Sequence, residues 1–287
     1  MPDETPTPIH AGPSQATRWN GAAGRAWTDL GDVLDGMFAP LAALLAGELA
    51  DVGAREVLDV GCGGGALSLA AADALGGDAR IVAVDVSAPL VAAARERVAR
   101  RGAPVEVVLG DAATYPFQAG RFDAVTSRFG VMFFDDPTAA FAHVRAACRP
   151  GAALRVLTWR APEENPFMTA AGRATERWLP AAGRFPTDGP GQFGLADRDR
   201  FTAILRAAGW EAVELVPVDV PCTLPAHRLP EYVERLGPLG AALDAVDPAE
   251  RDAVLAAARA AMAPFVHGDD VRFDAACWLA RAVAPAA

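Results

Sequence analysis

The chain of 287 residues contains no lysine; all 26 of its Lys-plus-Arg positions are arginine. GC-rich coding explains that bias more simply than any function does. Positive charge is scarce as well, since 36 acidic residues leave a formal net charge of −10. A protein that grips a phosphate backbone carries a basic face. No basic stripe is present: Arg95, Arg97, Arg100 and Arg101 gather in the last turns of one expected helix, where they suit its dipole. Nucleic acid is therefore not an expected partner. Cysteine is sparse too. Cys62, Cys148, Cys222 and Cys277 are far apart, with no C-x-x-C spacing and no paired histidine. That argues against a zinc or other metal site and against a disulfide framework, and it fits a reducing cytoplasm. Residues 1–13 are acidic and proline-rich, the opposite of a signal peptide. No uncharged apolar run is long enough to span a bilayer, and no internal repeat occurs.

Apolar residues are plentiful. At 52% hydrophobic, the chain has enough for a sizeable core. Its length suits one α/β core carrying extra helices better than two independent domains. Residues 1–15 read as a tail and 16–50 as helical with a glycine-rich break, so 1–50 form a tail and helical cap. From Glu56 the pattern becomes strand, helix, strand, helix. Strands are expected at 57–60, 81–86, 105–109 and 122–127, followed by others at 154–159, 213–220 and 271–283. Helices fill the intervals. One starts at Ser87 as N-cap with Pro89 in its first turn and stops at Gly102. Another starts at Asp136-Pro137 and ends at Pro150-Gly151, and a later one begins at Asp247-Pro248-Ala249-Glu250. This alternation predicts a Rossmann-like α/β fold: a seven-stranded, mostly parallel sheet with helices on both faces. Two stretches, 161–196 and 225–265, interrupt a domain running over 51–287. They are too apolar for linkers and are read as a helical lid over the carboxyl ends of the strands. The alternative is that they only cover the sheet or build a dimer contact, so a homodimer stays open.

The strongest motif is Val57-Leu58-Asp59-Val60-Gly61-Cys62-Gly63-Gly64-Gly65. A buried strand ends in glycines and a helix begins at once. Glycine permits the sharp turn and lets a ligand approach the backbone, and the helix N-terminus offers free N–H groups to an anion. Gly61, Gly63 and Ala66 also satisfy the dinucleotide pattern G-x-G-x-x-A, with Asp85 as the acid about 20 residues on. Glycines plus Asp85 thus establish an adenosine-type ligand without saying which. Asp59 and Asp111 break the tie. A carboxylate at Asp59 suits an ammonium or sulfonium and repels a pyrophosphate; Asp111, ending the third strand, suits an adenine amino group. Read alone, Asp59 is a strand-end cap, and Phe133 and Phe134 are core.

With these residues the run from Val57 through Arg160 resembles the class I S-adenosylmethionine-dependent methyltransferases, in the branch that includes quinone-biosynthesis C-methyltransferases and bacterial small-molecule enzymes. The family's glycine motif matches Asp59, Gly61, Cys62 and Gly63; its ribose acid matches Asp85, beside Val86; its adenine-side motif matches Asp111 and Ala112. The stretch Ser127-Arg128-Phe129-Gly130-Val131-Met132-Phe133-Phe134 looks like the segment that closes over the methionine part and the acceptor. Trp19-Asn20-Gly21 and Trp27 resemble an N-terminal element covering the cofactor. The resemblance implies S-adenosylmethionine as cofactor and a small, largely apolar acceptor. Trp27, Met132 and Phe133 would meet that acceptor, with Asn165 at the lid entrance. The resemblance also implies in-line methyl transfer, in which positioning can supply about 7–11 kcal/mol. Small-molecule relatives often place a histidine shortly after the fourth strand; here none stands there. His227 and His267, in the second insertion, are the remaining candidates for a base, and His143 is read as structural. The alternative within the fold is an enzyme that keeps the cofactor pocket but catalyses a cyclisation or another non-methyl reaction.

Overall fold

The computed structural model describes residues 15–286; the tail expected over 1–15 lies almost wholly outside them. Four helices open the described chain: α1 (Gln15–Asn20), α2 (Ala22–Asp29), α3 (Gly31–Met37) and α4 (Ala39–Asp51). A strand–helix alternation follows: β1 (Glu56–Val60), α5 (Ala66–Leu75), β2 (Arg80–Asp85), α6 (Ala88–Arg101), β3 (Val105–Leu109), β4 (Phe122–Arg128), α7 (Pro137–Ala146) and β5 (Cys148–Trp159). The remainder comprises α8 (Pro166–Thr175), α9 (Arg198–Ala207), β6 (Glu211–Pro225), α10 (Leu229–Arg235), α11 (Gly237–Ala242), α12 (Arg251–Met262), β7 (Val266–His267) and β8 (Asp270–Val283).

The sheet runs in the order β3-β2-β1-β4-β5-β8-β6, with β7 paired only to β8. The first five strands are mutually parallel, whereas β8 is antiparallel to β5, β6 and β7. The expected seven-stranded sheet is present, and the two-residue β7 adds an eighth strand, as a hairpin closed through Gly268 at φ +65°. Strand order reverses between β1 and β4, so the crevice for a ligand opens at their carboxyl ends. The strands there are buried on both faces, with Val57, Leu58, Ala83, Val84, Ala124 and Val125 all at most 3% exposed. Near-continuous apolar runs are what a parallel sheet covered on both sides requires.

Several boundaries moved for local reasons. The α7 helix ends at Ala146 and β5 begins at Cys148, so Pro150-Gly151 falls inside a strand. A bulge between Phe122 and Ala124 absorbs these residues, with Gly151 at φ +75°. The helix expected at Asp247 starts four residues later, because the Asp247 carboxylate instead accepts the Ala249 N–H in a local turn. Asp136 behaves as expected: its carboxylate accepts the Ala139 N–H at 3.0 Å and caps α7. Ser87 does not cap α6 through its side chain. Its hydroxyl donates to the Trp19 carbonyl at 2.8 Å, and the capping acceptor comes from α1, where Asn20 Oδ1 takes the Ala88 N–H at 2.8 Å. Asn20 Nδ2 also donates to the Val86 carbonyl. The N-terminal cap is thereby fastened to the ligand end of β2.

Both insertions leave the sheet at its carboxyl end and pack on one another. Phe167 of α8 stacks on Phe273 of β8 with centroids 3.9 Å apart, and the Tyr232 hydroxyl of α10 donates to Met168 Sδ. Two arginines at the ends of α10 reach the cap: Arg228, just before its first residue, pairs with Asp32 at 2.9 Å, and Arg235, its last, pairs with Asp29. Among the described residues no single helix is long and apolar enough to cross a membrane; α3 and α4 reach that composition only together and are bent by 62°.

Candidate active site

The glycine loop after β1 is folded back onto β2, since Gly61 and Cys62 both donate their N–H groups to the Val84 carbonyl. Gly61, Gly63 and Gly65 all have positive φ, which a side chain would resist. At Gly61 there is a second constraint. A Cβ there would lie 2.6 Å from Gly130 Cα, and a Cβ on Gly130 would lie 2.5 Å from the Val60 carbonyl oxygen. The ends of β1 and β4 thus meet backbone to backbone. Gly63, by contrast, faces open space, and this is where a ligand can approach the loop.

Three carboxylates stand around the loop. Asp59 is 1% exposed. Its Oδ2 accepts the Ser68 hydroxyl at 2.5 Å, while its Oδ1 is buried with no hydrogen-bond partner. Burial pushes its carboxyl up to about 6, only partly offset by the Ser68 bond and the Arg128 charge. Asp85, at the end of β2, accepts the Gly63 N–H at 2.8 Å and the Ser87 N–H at 2.9 Å. Burial raises its pKa, and those backbone bonds pull it back. Asp111, beyond β3, is exposed and accepts the Ala113 N–H at 2.9 Å.

Two joined cavities open here. One, of about 330 Å³, is floored by Asp59 and the loop from Gly61 to Gly64, and is flanked by Asp32, Asp35 and Phe38 of the cap and by Arg97 of α6. The other, of about 380 Å³, holds Asp85, Val86, Asp111 and Ala112, with Trp19, Phe133 and Phe134 around it. Trp27, Gly61, Gly63, Leu90, Arg128 and Phe129 line both. The roof is aromatic: Trp19 meets Trp27 and Phe133 edge-on at 5.7 and 5.1 Å. Phe129 is held at φ +69°, a conformation costly for a bulky residue. Its ring is pinned by stacking on Trp159 at 4.2 Å.

Between the cavities the charges are crowded. Arg97 bonds the Gly64 carbonyl at 2.8 Å and Asp35 at 2.5 Å, so α3, α6 and the glycine loop are joined through one guanidinium. Asp35 Oδ1 is also 4.0 Å from Arg128 Nη2. These positions carry no motif. Asp35 is one acid in a short helix whose partners lie 62 and 93 residues away, and only the folded chain brings them together.

Most of the sequence-expected site residues converge on these cavities: Trp19, Trp27, Asp59, Gly61, Cys62, Gly63, Asp85, Val86, Asp111, Ala112, Arg128, Phe129 and Phe133. The structure corrects five others. Ser127 is buried and faces inward; its hydroxyl donates to the Val60 carbonyl and accepts the Gly130 N–H, so it braces β4 against β1. Met132 is 3% exposed in the core behind Phe133 and lines neither cavity. Asn165 clamps α8 to β8: Nδ2 donates to the Ala276 carbonyl and Oδ1 accepts the Ala276 N–H. With its amide committed to backbone it is a structural residue rather than an acceptor contact. His227 and His267 are exposed in the second insertion and line neither cavity. The lid is corrected in the same way. No residue of 161–196 or 225–265 lines either cavity; the roof is made by the N-terminal cap, and the second insertion braces that cap through Arg228 and Arg235. His143, read as structural, does bond backbone, at 2.7 Å from the Tyr115 carbonyl oxygen. Among the described residues no group of three His, Cys, Asp or Glu is placed to hold a metal, and all four cysteines are buried and free.

Residues 57–151 match the methyltransferase domain family. An uncharacterised protein of Mycobacterium tuberculosis is 31% identical over 150 residues, which is 51% of this chain and 54% of that protein. The demethylmenaquinone methyltransferase of Renibacterium salmoninarum is 30% identical over 167 residues, covering 55% of this chain and 68% of that enzyme. The nocamycin O-methyltransferase of Saccharothrix syringae is 40% identical over 96 residues, 33% of this chain and 34% of that one. The chain thus spans about half the length of the mycobacterial relative. Among solved structures, the YcgJ protein of Bacillus subtilis superposes with a TM-score of 0.56 at 17% identity, over 85% of this chain and 99% of that one. The [4+2]-cyclase SpnF superposes with a TM-score of 0.58 at 20% identity, over 97% and 99%. Both share the fold.

Proposed function

Because the chain belongs to the class I S-adenosylmethionine-dependent methyltransferases, we propose that it transfers a methyl group from S-adenosylmethionine to a small, largely apolar acceptor. The observation that carries this reading is the Asp59 carboxylate, buried at the cavity floor with one oxygen unpartnered. An unsatisfied buried oxygen is costly, and the ammonium of an amino-acid tail meets that need. A pyrophosphate, which a dinucleotide would bring, is repelled there.

In this reading each remaining residue has a physical task. Asp85 accepts the ribose hydroxyls, having spent only one lone pair of each oxygen on backbone. Asp111 and Ala112 meet the adenine edge, and Val86, Trp19 and Phe133 cover its faces. Trp27 and Phe129, at the junction of the cavities, hold the acceptor against the methyl-bearing sulfur. Their aromatic surface, with Phe38 and Leu34 beside it, favours an apolar molecule and excludes polymers. The bound sulfonium supplies an already electrophilic methyl group. The protein's contribution is then alignment, consistent with cavities that no histidine lines.

The test is incubation with methyl-labelled S-adenosylmethionine and a panel of phenols, quinones and amines. Label should appear in at least one aromatic product. Recovery of all label in the cofactor, together with a cyclised or rearranged product, would overturn methyl transfer in favour of a non-methyl reaction on the same pocket.

A further inference from the structure

The α6 helix touches both the cap and the glycine loop, and the two contacts meet at Arg97. Its Nη1 donates to the Gly64 carbonyl at 2.8 Å and lies 2.5 Å from Asp35 Oδ2 of α3. A guanidinium Nη carries two N–H groups, so a single nitrogen serves both partners and neither bond shifts without turning the other. Among the described residues no hydrogen bond runs directly from the cap to the glycine loop; the link passes through this nitrogen. The run Gly63-Gly64-Gly65 is built around it. A Cβ on Gly64 would lie 3.1 Å from Arg97 Nη1, and one on Gly65 would lie 3.3 Å from Ala94 Cβ, so α6 packs on loop backbone at both positions. The Gly65 N–H closes a turn on the Cys62 carbonyl at 2.9 Å, and Asp85 holds the Gly63 N–H. With Arg97 on the Gly64 carbonyl, the turn that presents Gly63 to the cavities is gripped from both sides.

We infer that Arg97 is a positioning residue that makes docking of the cap and setting of the glycine loop one event, so that the loop takes its binding geometry only beneath a closed cap. The inference rests on the cofactor reading above. A ligand of these cavities has to pass the cap, because Trp19 of α1 and Trp27 of α2 form the roof. When the cap lifts, Asp35 leaves with it and the guanidinium loses its charged anchor. The Gly64 carbonyl is then held by a free-swinging side chain, and a glycine-rich backbone is the costliest kind to keep ordered. Redocking of α3 restores both bonds together. Such coupling is reciprocal: a ligand on the loop holds the cap down by the same factor by which the docked cap tightens the ligand.

Two variants break the shared contact from opposite sides. Arg97→Gln removes the nitrogen. Gly64→Ala leaves every charge in place and pushes aside only the far end of the arginine. Each should weaken calorimetric binding of S-adenosylhomocysteine by about 5- to 50-fold. The double variant should lose no more than about twofold beyond the worse single one, because both act through one contact. Hydrogen exchange adds the readout that a merely structural role would not move. Saturating S-adenosylhomocysteine should slow exchange in α2 and α3 of the wild type by at least about tenfold, and in either variant, also at saturation, by less than about threefold. Should Arg97→Gln fail to fold, Gly64→Ala carries the affinity and exchange readouts alone. Weakened binding with full protection of the cap would make Arg97 a brace of the loop and overturn the coupling, as would additive losses in the double variant or wild-type affinity in both single ones. Failure of the wild-type protein to bind S-adenosylhomocysteine overturns the cofactor reading and this inference with it.

Discussion

Asp85→Ala is expected to weaken S-adenosylhomocysteine binding by about 10²–10³-fold, the loss of two charge-assisted hydrogen bonds to ribose after partial replacement by water. A stability effect accompanies it. The Asp85 carboxylate holds the Gly63 and Ser87 N–H groups, so its removal frees a glycine of the binding loop and a backbone donor at the start of α6. The melting temperature should therefore fall by a few degrees, as a loss of about 1–2 kcal/mol implies. Asp85→Asn keeps the shape but only one acceptor oxygen, so it can take one of the two backbone N–H groups and sets its amide NH2 against the other; it should recover only part of the stability and little of the affinity. Calorimetry and thermal melts on both variants check the pair of effects. Wild-type affinity in Asp85→Ala would remove Asp85 from the ribose contact.

The largest stability effect is expected far from the cavities. Glu48 of α4 is 12% exposed and accepts Arg281 of β8 through both oxygens, at 2.9 and 2.6 Å. Arg155 Nε of β5 lies 3.2 Å from the same carboxylate, in ion-pair range but poorly aligned for a hydrogen bond. One carboxylate therefore neutralises two arginines on adjacent strands of the sheet. Glu48→Ala should destabilise the fold by about 3–5 kcal/mol, because it strands partly buried charge rather than merely losing a contact. The Arg281 hydrogen bonds, and then the two guanidinium charges, hold the Glu48 carboxyl below its ordinary value against the opposing effect of burial. A depressed carboxyl pKa stabilises the fold above the unfolded value, near 4.5, and that stability is lost as pH falls through the folded value. The difference in denaturant midpoint between wild type and Glu48→Ala should thus be full above about pH 5 and shrink progressively as pH falls below 4.5. A constant gap across that range would mean Glu48 acts by packing alone.

The parts of the site that could be read from sequence are those in which one short segment carries the whole physical reason. The strand from Val57, the positive-φ glycines after it and the acids Asp59, Asp85 and Asp111 needed only local chemistry to be picked out, and Asp59, Gly61, Gly63, Asp85 and Asp111 line the two cavities. The parts that escaped depend on partners distant in sequence. Ser87 has the right chemistry for a helix cap, yet Asn20 supplies the acceptor because α1 docks there. Asn165 has a polar amide near an apolar insertion, which suggests a ligand contact; a backbone strand 111 residues away uses every part of it. The insertions were expected to roof the crevice because they leave the sheet at its ligand end. They do leave it there, but the cap occupies the roof first. Nothing in the sequence of Asp29 or Asp32 announces Arg235 or Arg228 as its partner.

The central claim is that the paired cavities hold an adenosine carrying an amino-acid tail, and calorimetric titration with S-adenosylhomocysteine and with NAD addresses it directly. At pH 7.5 S-adenosylhomocysteine should bind with a Kd of about 1 µM or better, roughly −8 kcal/mol, and NAD should not bind comparably. At pH 5 the Asp59 carboxyl, raised by burial to about 6, is mostly protonated, whereas the ligand amine, with a pKa near 8, keeps its charge. Affinity for S-adenosylhomocysteine should therefore fall about tenfold between the two pH values, as one proton must leave for the ammonium to pair. Tighter binding of NAD than of S-adenosylhomocysteine, or affinity for the latter that rises as pH falls through 6, would contradict the account.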